Sequence, residues 1–531
     1  TGNRGLYGAI QVTQNTPNCK LSVGGSANIY NNVDYNNANW VRDIYLQVEN
    51  SLIYIASRLT NTQKISVWRN NRGVITVDYG RFNDDDPKTK FTSAYSPEYA
   101  IEKSGEGTNA EADFFCYSNM LNWIYFNRQS IATGKQQTMY LYSDWKATSN
   151  SSYTTAFGTD GSYFYNGALY LPAGSDIILD LSGYDIDRAL TAARDYGFVI
   201  RVNGKLTITD SSTGTKGSII GGYNNRNDYA GAGAISVYDG AELTLLSGII
   251  TGNRGTYGGI AVNTNGKLAL GGDVQIYNNY LNGTSTLKNI ALLNVTNGVI
   301  DILSSLTGGK IIGVSRNGNG ALTNGFGTYH AGEDVTKYFA SEDSRYNLIS
   351  EGDGGSREAA LLSTLSTINW EYAVTASIRL NQPVVCPLFS DWTAPANTNG
   401  FFATTGASYS GAYTNGALYV PTGANVILEL NGHTINRGYG TSATNYGYAI
   451  QVSGGTLTIR DSSAGNTGKI TGGNTNYSIY SGGIFVTAAG KLYLESGTIT
   501  GNRASGSGAG GVSINSNCYF KMTGGSIEGN I

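Results

Sequence analysis

Towards its C-terminal end the chain alternates apolar and polar positions in short runs, each closed by glycine or asparagine. Gly482-Gly483-Ile484-Phe485-Val486 is followed by Lys491-Leu492-Tyr493-Leu494-Glu495 and by Gly497-Thr498-Ile499-Thr500-Gly501-Asn502. Period-two alternation predicts half-buried strands, and the closing Gly and Asn positions predict turns that need positive φ. The set then returns as Gly510-Gly511-Val512-Ser513-Ile514, Tyr519-Phe520-Lys521-Met522 and Gly525-Ser526-Ile527-Glu528-Gly529-Asn530, with Val486 and its counterpart Ile514 separated by 28 residues. Three strands in roughly 25–30 residues, repeated, is the pattern of one coil of a parallel β-helix. In such a coil each strand pairs with its equivalents in neighbouring coils at about 4.8 Å. Aliphatic residues point inwards, and an Asn buried at a corner stacks on the Asn of the next coil as an amide ladder. Asn253, Asn502 and Asn530 occupy such corners.

A longer repeat contains the short one. Thr-Gly-Asn-Arg opens at Thr1, Thr251 and Thr500. Asn28-Ile29-Tyr30-Asn31-Asn32 returns as Gln275-Ile276-Tyr277-Asn278-Asn279, Asn122-Trp123 as Asn369-Trp370, and Asn166-Gly167-Ala168-Leu169-Tyr170 as Asn415-Gly416-Ala417-Leu418-Tyr419. The offset stays between 247 and 250 throughout. Residues 1–250 and 251–499 therefore form two β-helix modules, and 500–531 opens a third, in one continuous solenoid. The fold class is all-β, a right-handed single-stranded parallel β-helix with loop insertions. The pattern breaks at about 81–110 and 315–357, the expected irregular insertions. Residues 111–145 and 358–392 return to apolar runs, and Glu358-Ala359-Ala360-Leu361-Leu362 reads as strand because its partner Ala112-Asp113-Phe114-Phe115-Cys116 is aromatic. Helices are expected to be nearly absent.

Composition narrows the function classes. The 531 residues carry a formal charge of −3 with both signs interspersed, and only 14% are charged, which excludes the basic stripe of a nucleic-acid binder. No apolar run has the length of a membrane span. Cys19, Cys116, Cys386 and Cys518 have no metal-type spacing and read as buried free thiols.

The combination of Ile-x-x-Asn with Gly-Gly-Ile/Val/Ala resembles the repeats of chlamydial polymorphic outer membrane proteins. The modules are more similar to large adhesin-like β-helix surface proteins of gut Firmicutes and methanogens. The residues that carry this are Ile312-Gly313-Val314, Tyr338-Phe339, the Asp-Trp-Thr/Lys-Ala segments, Gly-Ala-Leu-Tyr-Val/Leu-Pro and Leu430-Asn431-Gly432-His433-Thr434-Ile435-Asn436-Arg437. The first module departs at Gly183-Tyr184-Asp185, and the chain shows no Leu-Pro-x-Thr-Gly anchor. The resemblance implies an extracellular or cell-surface location.

The candidate chemistry is thin. Parallel β-helices also host polysaccharide lyases and hydrolases, whose sites need clustered carboxylates. The familiar motifs of those sites are missing, so no catalytic residue and no cofactor are expected. His433 is replaced by Tyr184 at the equivalent position of the sister module, and His330 falls in an irregular stretch. Asp84, Asp85 and Asp86 are a weak Ca²⁺ candidate, with a solvated loop as the plainer reading. Asp176, Asp180, Asp185 and Asp187 cluster, yet Asp176 becomes Asn425 and Asp185 becomes Thr434. Tyr is abundant (38) and supplies either sugar-stacking platforms or ordinary exposed strand positions. The expectation is a structural surface protein assembling head to tail, or a stretch of a longer chain. The alternatives are an adhesin whose insertions bind glycan or host protein, and a polysaccharide-active enzyme. The head-to-tail interface would comprise Thr1, Gly2, Asn3, Ala9, Ile10 and Val12 on one side and Phe520, Ile527, Asn530 and Ile531 on the other. It would bring Cys19 and Cys518 within disulfide reach.

Overall fold

The computed structural model describes residues 3–531 except 7, 14–19, 35, 37–40, 49–50, 70–71, 95–98, 106, 148–156, 158–160, 229–230, 294–298, 317, 353, 364–365, 395–412, 415–416, 444, 477–479 and 506. Strands dominate these residues and most of their pairings are parallel. The chain divides into two compact units, 1–191 with 199–220, and 192–198 with 221–531.

In the second unit the recurring pattern seen in the sequence becomes three sheets of equivalent strands. Asn425–Glu429, Thr456–Arg460, Lys491–Leu494 and Tyr519–Met522 pair in sequence order and in register, so that Val426, Leu457, Leu492 and Phe520 form one row. Ala417–Val420, Ile450–Ser453, Ile484–Thr487 and Val512–Ile514 make the second sheet. Thr434–Asn436, Lys469–Thr471, Thr498–Thr500 and Ser526–Glu528 make the third. The three rows of aliphatic residues meet in one buried cluster that includes Val426, Leu457, Leu492, Ile450, Ile484, Ile435, Ile470 and Ile499. Burial of each such side chain stabilises by about 1.5–3 kcal/mol, which is why the inward positions are apolar. The first unit repeats this build. Ile10–Val12, Ile44–Leu46, Ile65–Arg69 and Phe91–Ser93 pair parallel, over a cluster of Ile44, Leu46, Ile65, Val67 and Phe91.

Amide ladders run along the corners in both units. Asn3 donates from Nδ2 to Asn32 Oδ1 (3.0 Å), and Asn32 donates to Asp43 Oδ1 (2.9 Å). Asn253 likewise donates to Asn279 (3.0 Å), Asn279 to Asn289 (3.1 Å), and Asn502 to Asn530 (3.0 Å). Each amide both accepts and donates, so the row needs a terminal acceptor. In the first unit that is Asp43, which also accepts from Ser66 N–H (2.8 Å). In the second, Glu342 ends the Asn253–Asn279–Asn289 row, accepting from the Asn289 side chain and backbone (both 2.6 Å), while Asn530 donates to the backbone carbonyls of Ile499 and Glu528. Glu342 lies across Gly313, where an added Cβ would sit 1.9 Å from its Oε1. The corner residues Asn31 and Asn278 adopt left-handed φ of 57° and 51°, as the turn chemistry predicts.

Two regions correct the sequence reading. The stretches expected to be irregular carry structure: a helical turn at Tyr79–Phe82, the strand Phe91–Ser93, and the strand Tyr99–Ser104 antiparallel to Glu111–Cys116. The second unit repeats this with Phe326–Tyr329, Phe339–Ser341, and Tyr346–Glu351 antiparallel to Glu358–Ser363. The strand reading of Glu358–Leu362 agrees with the structure. The segment after each hairpin differs from expectation, because Asn119–Thr133 and Ser366–Leu380 are 15-residue helices in place of apolar strand runs.

The reason is the hidden face of the first helix. It is formed by Asn119, Asn122, Trp123, Asn127 and Ser130, of which only one is apolar. These side chains satisfy backbone groups instead of packing on aliphatic neighbours. Asn122 donates to Cys116 O (2.7 Å), and Ser130 Oγ both donates to Asp176 O (3.1 Å) and accepts from its N–H (2.8 Å). Trp123 Nε1 donates to Tyr163 O and Tyr170 O. The second helix keeps the scheme, with Asn369 donating to Ser363 O (2.6 Å), Trp370 to Tyr419 O (3.2 Å), and Ser377 Oγ accepting from Asn425 N–H (3.1 Å). Ser118 caps the first helix through Leu121 N–H, and Gly134 ends it at φ 63°.

Candidate functional site

Asp84, Asp85 and Asp86, adjacent in the sequence, have separate tasks in the fold. Asp84 pairs with Arg58 (2.7 Å) on the surface. Asp85 accepts from Tyr79 Oη (2.9 Å) and Thr89 Oγ1 (3.1 Å), and Asp86 caps the turn Pro87–Thr89 through Lys88 N–H (2.9 Å). Among the described residues no three His, Cys, Asp or Glu side chains are grouped to hold a metal ion. The other acidic set is equally dispersed: Asp176 accepts from Gln136 (2.9 Å), Asp185 from Ser218 N–H (2.8 Å) and Asp187 from Ala189 N–H (2.7 Å). Asp180 accepts from Ser182 N–H (2.8 Å) and Ser211 N–H (2.9 Å), joining two turns.

His330 is buried, stacked on Phe326, and its Nε2 accepts from Leu306 N–H (3.0 Å). In the first unit Asn83 Oδ1 performs the same task for Leu59 N–H (2.9 Å), so this imidazole replaces a structural amide. His433 lies 3.5 Å from Asp391 on the surface. Cys116 and Cys386 are buried and, like the half-buried Cys518, form no disulfide among the described residues; burial pushes the Cys386 thiol up to about 12.

Of the residues named for assembly, Thr1, Gly2 and Cys19 lie outside the described residues. Asn3 and Asn530 belong to the amide ladders, Ile10 and Val12 pair with Ile44 and Leu46, and Phe520 and Ile527 with Leu492 and Ile499. Ala9 is exposed, as is Ile531, whose backbone bonds to Asn502 O and Ala504 N–H.

The feature that sequence reasoning missed lies beside the first helix. A cavity of about 350 Å³ is lined by Tyr117, the helix start at Ser118, Asn119 and Met120, and the segment Ser143, Asp144 and Trp145. Its walls are fixed by hydrogen bonds. Asn119 Nδ2 donates to Ser143 O (2.8 Å) and its Oδ1 accepts from Tyr142 N–H (3.3 Å), tying the helix start to the opposite wall. Asp144 Oδ1 accepts from Asp185 N–H (3.0 Å). Trp145 is held edge-on to Trp123 at 6.3 Å.

Tyr117 is 38% exposed and still rigidly held. Its hydroxyl donates to Glu102 (2.7 Å), itself paired with Lys88 (2.5 Å). Its ring sits edge-to-face with Phe115 (5.3 Å) and Tyr142 (5.5 Å), which contact each other at 5.0 Å. The hydrogen bond to Glu102 raises the Tyr117 phenol above its ordinary range, and burial pushes Tyr142 up to about 12, so both rings stay neutral at physiological pH. At the matching positions the second module has Ile349 for Glu102, Leu362 for Phe115, Thr364 for Tyr117, Thr367 for Met120 and Phe389 for Tyr142. Ser390, Asp391 and Trp392 repeat Ser143, Asp144 and Trp145. The signal available in the sequence was this aromatic set, present in one copy only.

No protein-family model, curated protein or solved structure matches the chain.

Proposed function

We propose that the protein is an extracellular structural protein of the cell-surface type, with each unit built on a right-handed, single-stranded parallel β-helix. The observation that carries this reading is the in-register stacking of equivalent residues, such as Val426, Leu457, Leu492 and Phe520, in each of three parallel sheets. The buried amide ladders support it, because they reward an Asn only where another Asn or a carboxylate lies one rung away. Right-handedness follows the general chirality of parallel crossovers. A rung-built scaffold offers other copies, or further rungs of a longer chain, the same strand spacing that it uses internally. The sparse charge and the resemblance to adhesin-like surface proteins favour a scaffold that works outside the cell.

Electron microscopy of the purified chain tests the reading, together with antibody labelling of intact source cells. Fibres or bundles and surface labelling are expected. Labelling only after permeabilisation would overturn the surface assignment. Release of reducing sugar from a polysaccharide, abolished by one carboxylate substitution, would replace the scaffold with an enzyme.

A further inference from the structure

We propose that the cavity beside the first helix binds a carbohydrate, specifically a neutral pyranose presenting an apolar C–H face. Its volume of about 350 Å³ falls in the range of small-molecule sites, roughly 300–1,000 Å³. The lining combines the two surfaces that such a sugar needs. Tyr117 and Met120, with the small exposed edge of the otherwise buried Trp145, supply apolar and aromatic area, and Ser143 and Asp144 supply hydroxyl and carboxylate partners. An aromatic ring carries negative charge on its face, which attracts the polarised C–H groups of a sugar ring. A carboxylate accepts hydroxyl protons through charge-assisted bonds. Only one oxygen of Asp144 is bound to the Asp185 backbone.

Rigidity points more strongly the same way. An exposed tyrosine on a solenoid has no structural need of a support as elaborate as Glu102, Lys88, Phe115 and Tyr142. Such a frame removes rotamer freedom before a ligand arrives, which lowers the entropy lost on binding. The second module keeps Ser390, Asp391 and Trp392, of which Asp391 accepts from Thr434 N–H and Trp392 pairs with Ile435, and has Ile349, Leu362 and Thr364 in place of Glu102, Phe115 and Tyr117. The frame is thus separable from the fold.

Other ligand classes fit less well. An anion would meet the Asp144 carboxylate. A quaternary ammonium ion is held by several rings turned inwards around it. Here Phe115 and Tyr142 spend their edges and faces on Tyr117 and on each other, which leaves an open platform and not a cage.

The test screens the full-length chain on an array of neutral oligosaccharides, then titrates the hits by calorimetry against the wild type and four variants. Tyr117→Ala and Asp144→Asn are each expected to weaken binding at least tenfold. Tyr117→Phe keeps the ring and is expected to retain binding within a few-fold, which shows that a loss in Tyr117→Ala is not a folding failure. Ser390→Ala, at the equivalent position of the second module, is expected to leave affinity unchanged. The proposal fails if no oligosaccharide binds, or if binding survives both Tyr117→Ala and Asp144→Asn. It also fails if tetramethylammonium binds and sugars do not. None of these outcomes bears on fibre formation or surface labelling, so the scaffold reading stands or falls separately.

Discussion

Residues 72–145 and 319–392 are one segment present twice, and the two copies solve the same packing problem with different side chains. Each folds a three-stranded antiparallel sheet and then a 15-residue helix. In the first copy Arg72 fills the junction of sheet and helix. Its guanidinium lies 4.8 Å from the Phe115 ring and 4.5 Å from Phe126, and it donates to Asn122 (3.0 Å). In the second, Asn319 takes that position, donating to Asn369 (3.3 Å) and accepting from Ser363 N–H (2.6 Å). In place of the guanidinium the second copy has a carboxylate, Glu351, which is almost fully buried and accepts from Tyr372 (2.5 Å) and Arg379 (3.3 Å). What both copies keep are the side chains that satisfy backbone groups: Asn122 and Asn369, Ser130 and Ser377, Trp123 and Trp370. The same holds for Glu111 and Glu358, each of which takes a threonine hydroxyl at 2.7 Å and two backbone N–H groups at the start of a helical turn. Backbone donors and acceptors are fixed by the fold, so each keeps a partner, mostly the same residue type and at Leu59 and Leu306 an exchange of Asn83 for His330. Contacts between side chains can be exchanged, and the exchange freed the first copy to build an aromatic rim.

The sharpest test of shared architecture is the tryptophan pair. Trp123→Ala and Trp370→Ala should each cost about 3–5 kcal/mol of local stability. Each also leaves a buried carbonyl short of its donor. Hydrogen exchange of the two helices, read peptide by peptide, should show equal losses in the matching copy. A large loss in one copy and none in the other would break the equivalence.

Arg72→Ala should separate the copies. Removing the guanidinium forfeits its contacts with Phe115, Phe126 and Tyr125 and one hydrogen bond, worth about 1–3 kcal/mol together. It also withdraws positive charge from Asp113, whose carboxyl burial already raises above its ordinary range. Exchange should accelerate in Asn119–Thr133 and stay unchanged in Ser366–Leu380.

A smaller effect comes from pH. Burial raises the Glu351 carboxyl above its ordinary value, against the opposing pull of Tyr372 and Arg379. Between the unfolded and folded pKa the folded state then holds the proton and the unfolded chain does not. Stability from this group is therefore full below the ordinary carboxylate pKa and is lost as pH rises through the raised one. Protection of Ser366–Leu380, corrected for intrinsic exchange, should rise on acidification from neutral. Glu351→Gln should flatten that local dependence, while the contribution of Glu342, which burial raises likewise, persists around Asn289.

The strands, the amide ladders and the duplication were legible in the sequence, because each leaves a periodic trace. The helices were not. The hidden face of the first is Asn, Ser and Trp, so no 3.6-residue apolar period forms there, while the second buries Trp370, Ala373, Val374 and Ala376 beside Asn369 and Ser377, a period too short and too broken by polar residues to stand out. A usable sign was present, since 119–133 and 366–380 contain neither Gly nor Pro in a chain with 72 glycines. The pocket was hidden for another reason. Its parts come from Glu102, from 115–120 and from 142–145, which meet only after folding. Weighing each candidate by whether the sister module repeats it also favours structural residues, since those are what duplication preserves.

The mildest comparison needs no substitution at all. Cys116 ends the hairpin strand Glu111–Cys116 of the first copy, and Cys386 lies on Val384–Pro387, the strand after the second helix. Both thiols are buried, so neither reacts unless its surroundings open. Cys116 is the last residue of its strand and pairs across the antiparallel hairpin with Tyr99. Cys386 pairs in a parallel sheet with Leu428 and belongs to the large aliphatic cluster of its unit. Fraying the end of a strand breaks fewer hydrogen bonds than opening a sheet around an interior residue. With a thiol reagent in excess and the sites resolved by mass spectrometry, Cys518, already half-buried, should label first. Cys116 should follow and Cys386 come last. Raising the pH should speed the two buried sites less than the thiolate fraction predicts, because opening limits them. Equal rates at Cys116 and Cys386 would mean that hairpin and sheet open together, and the excursion would then be as rigid as the scaffold that carries it.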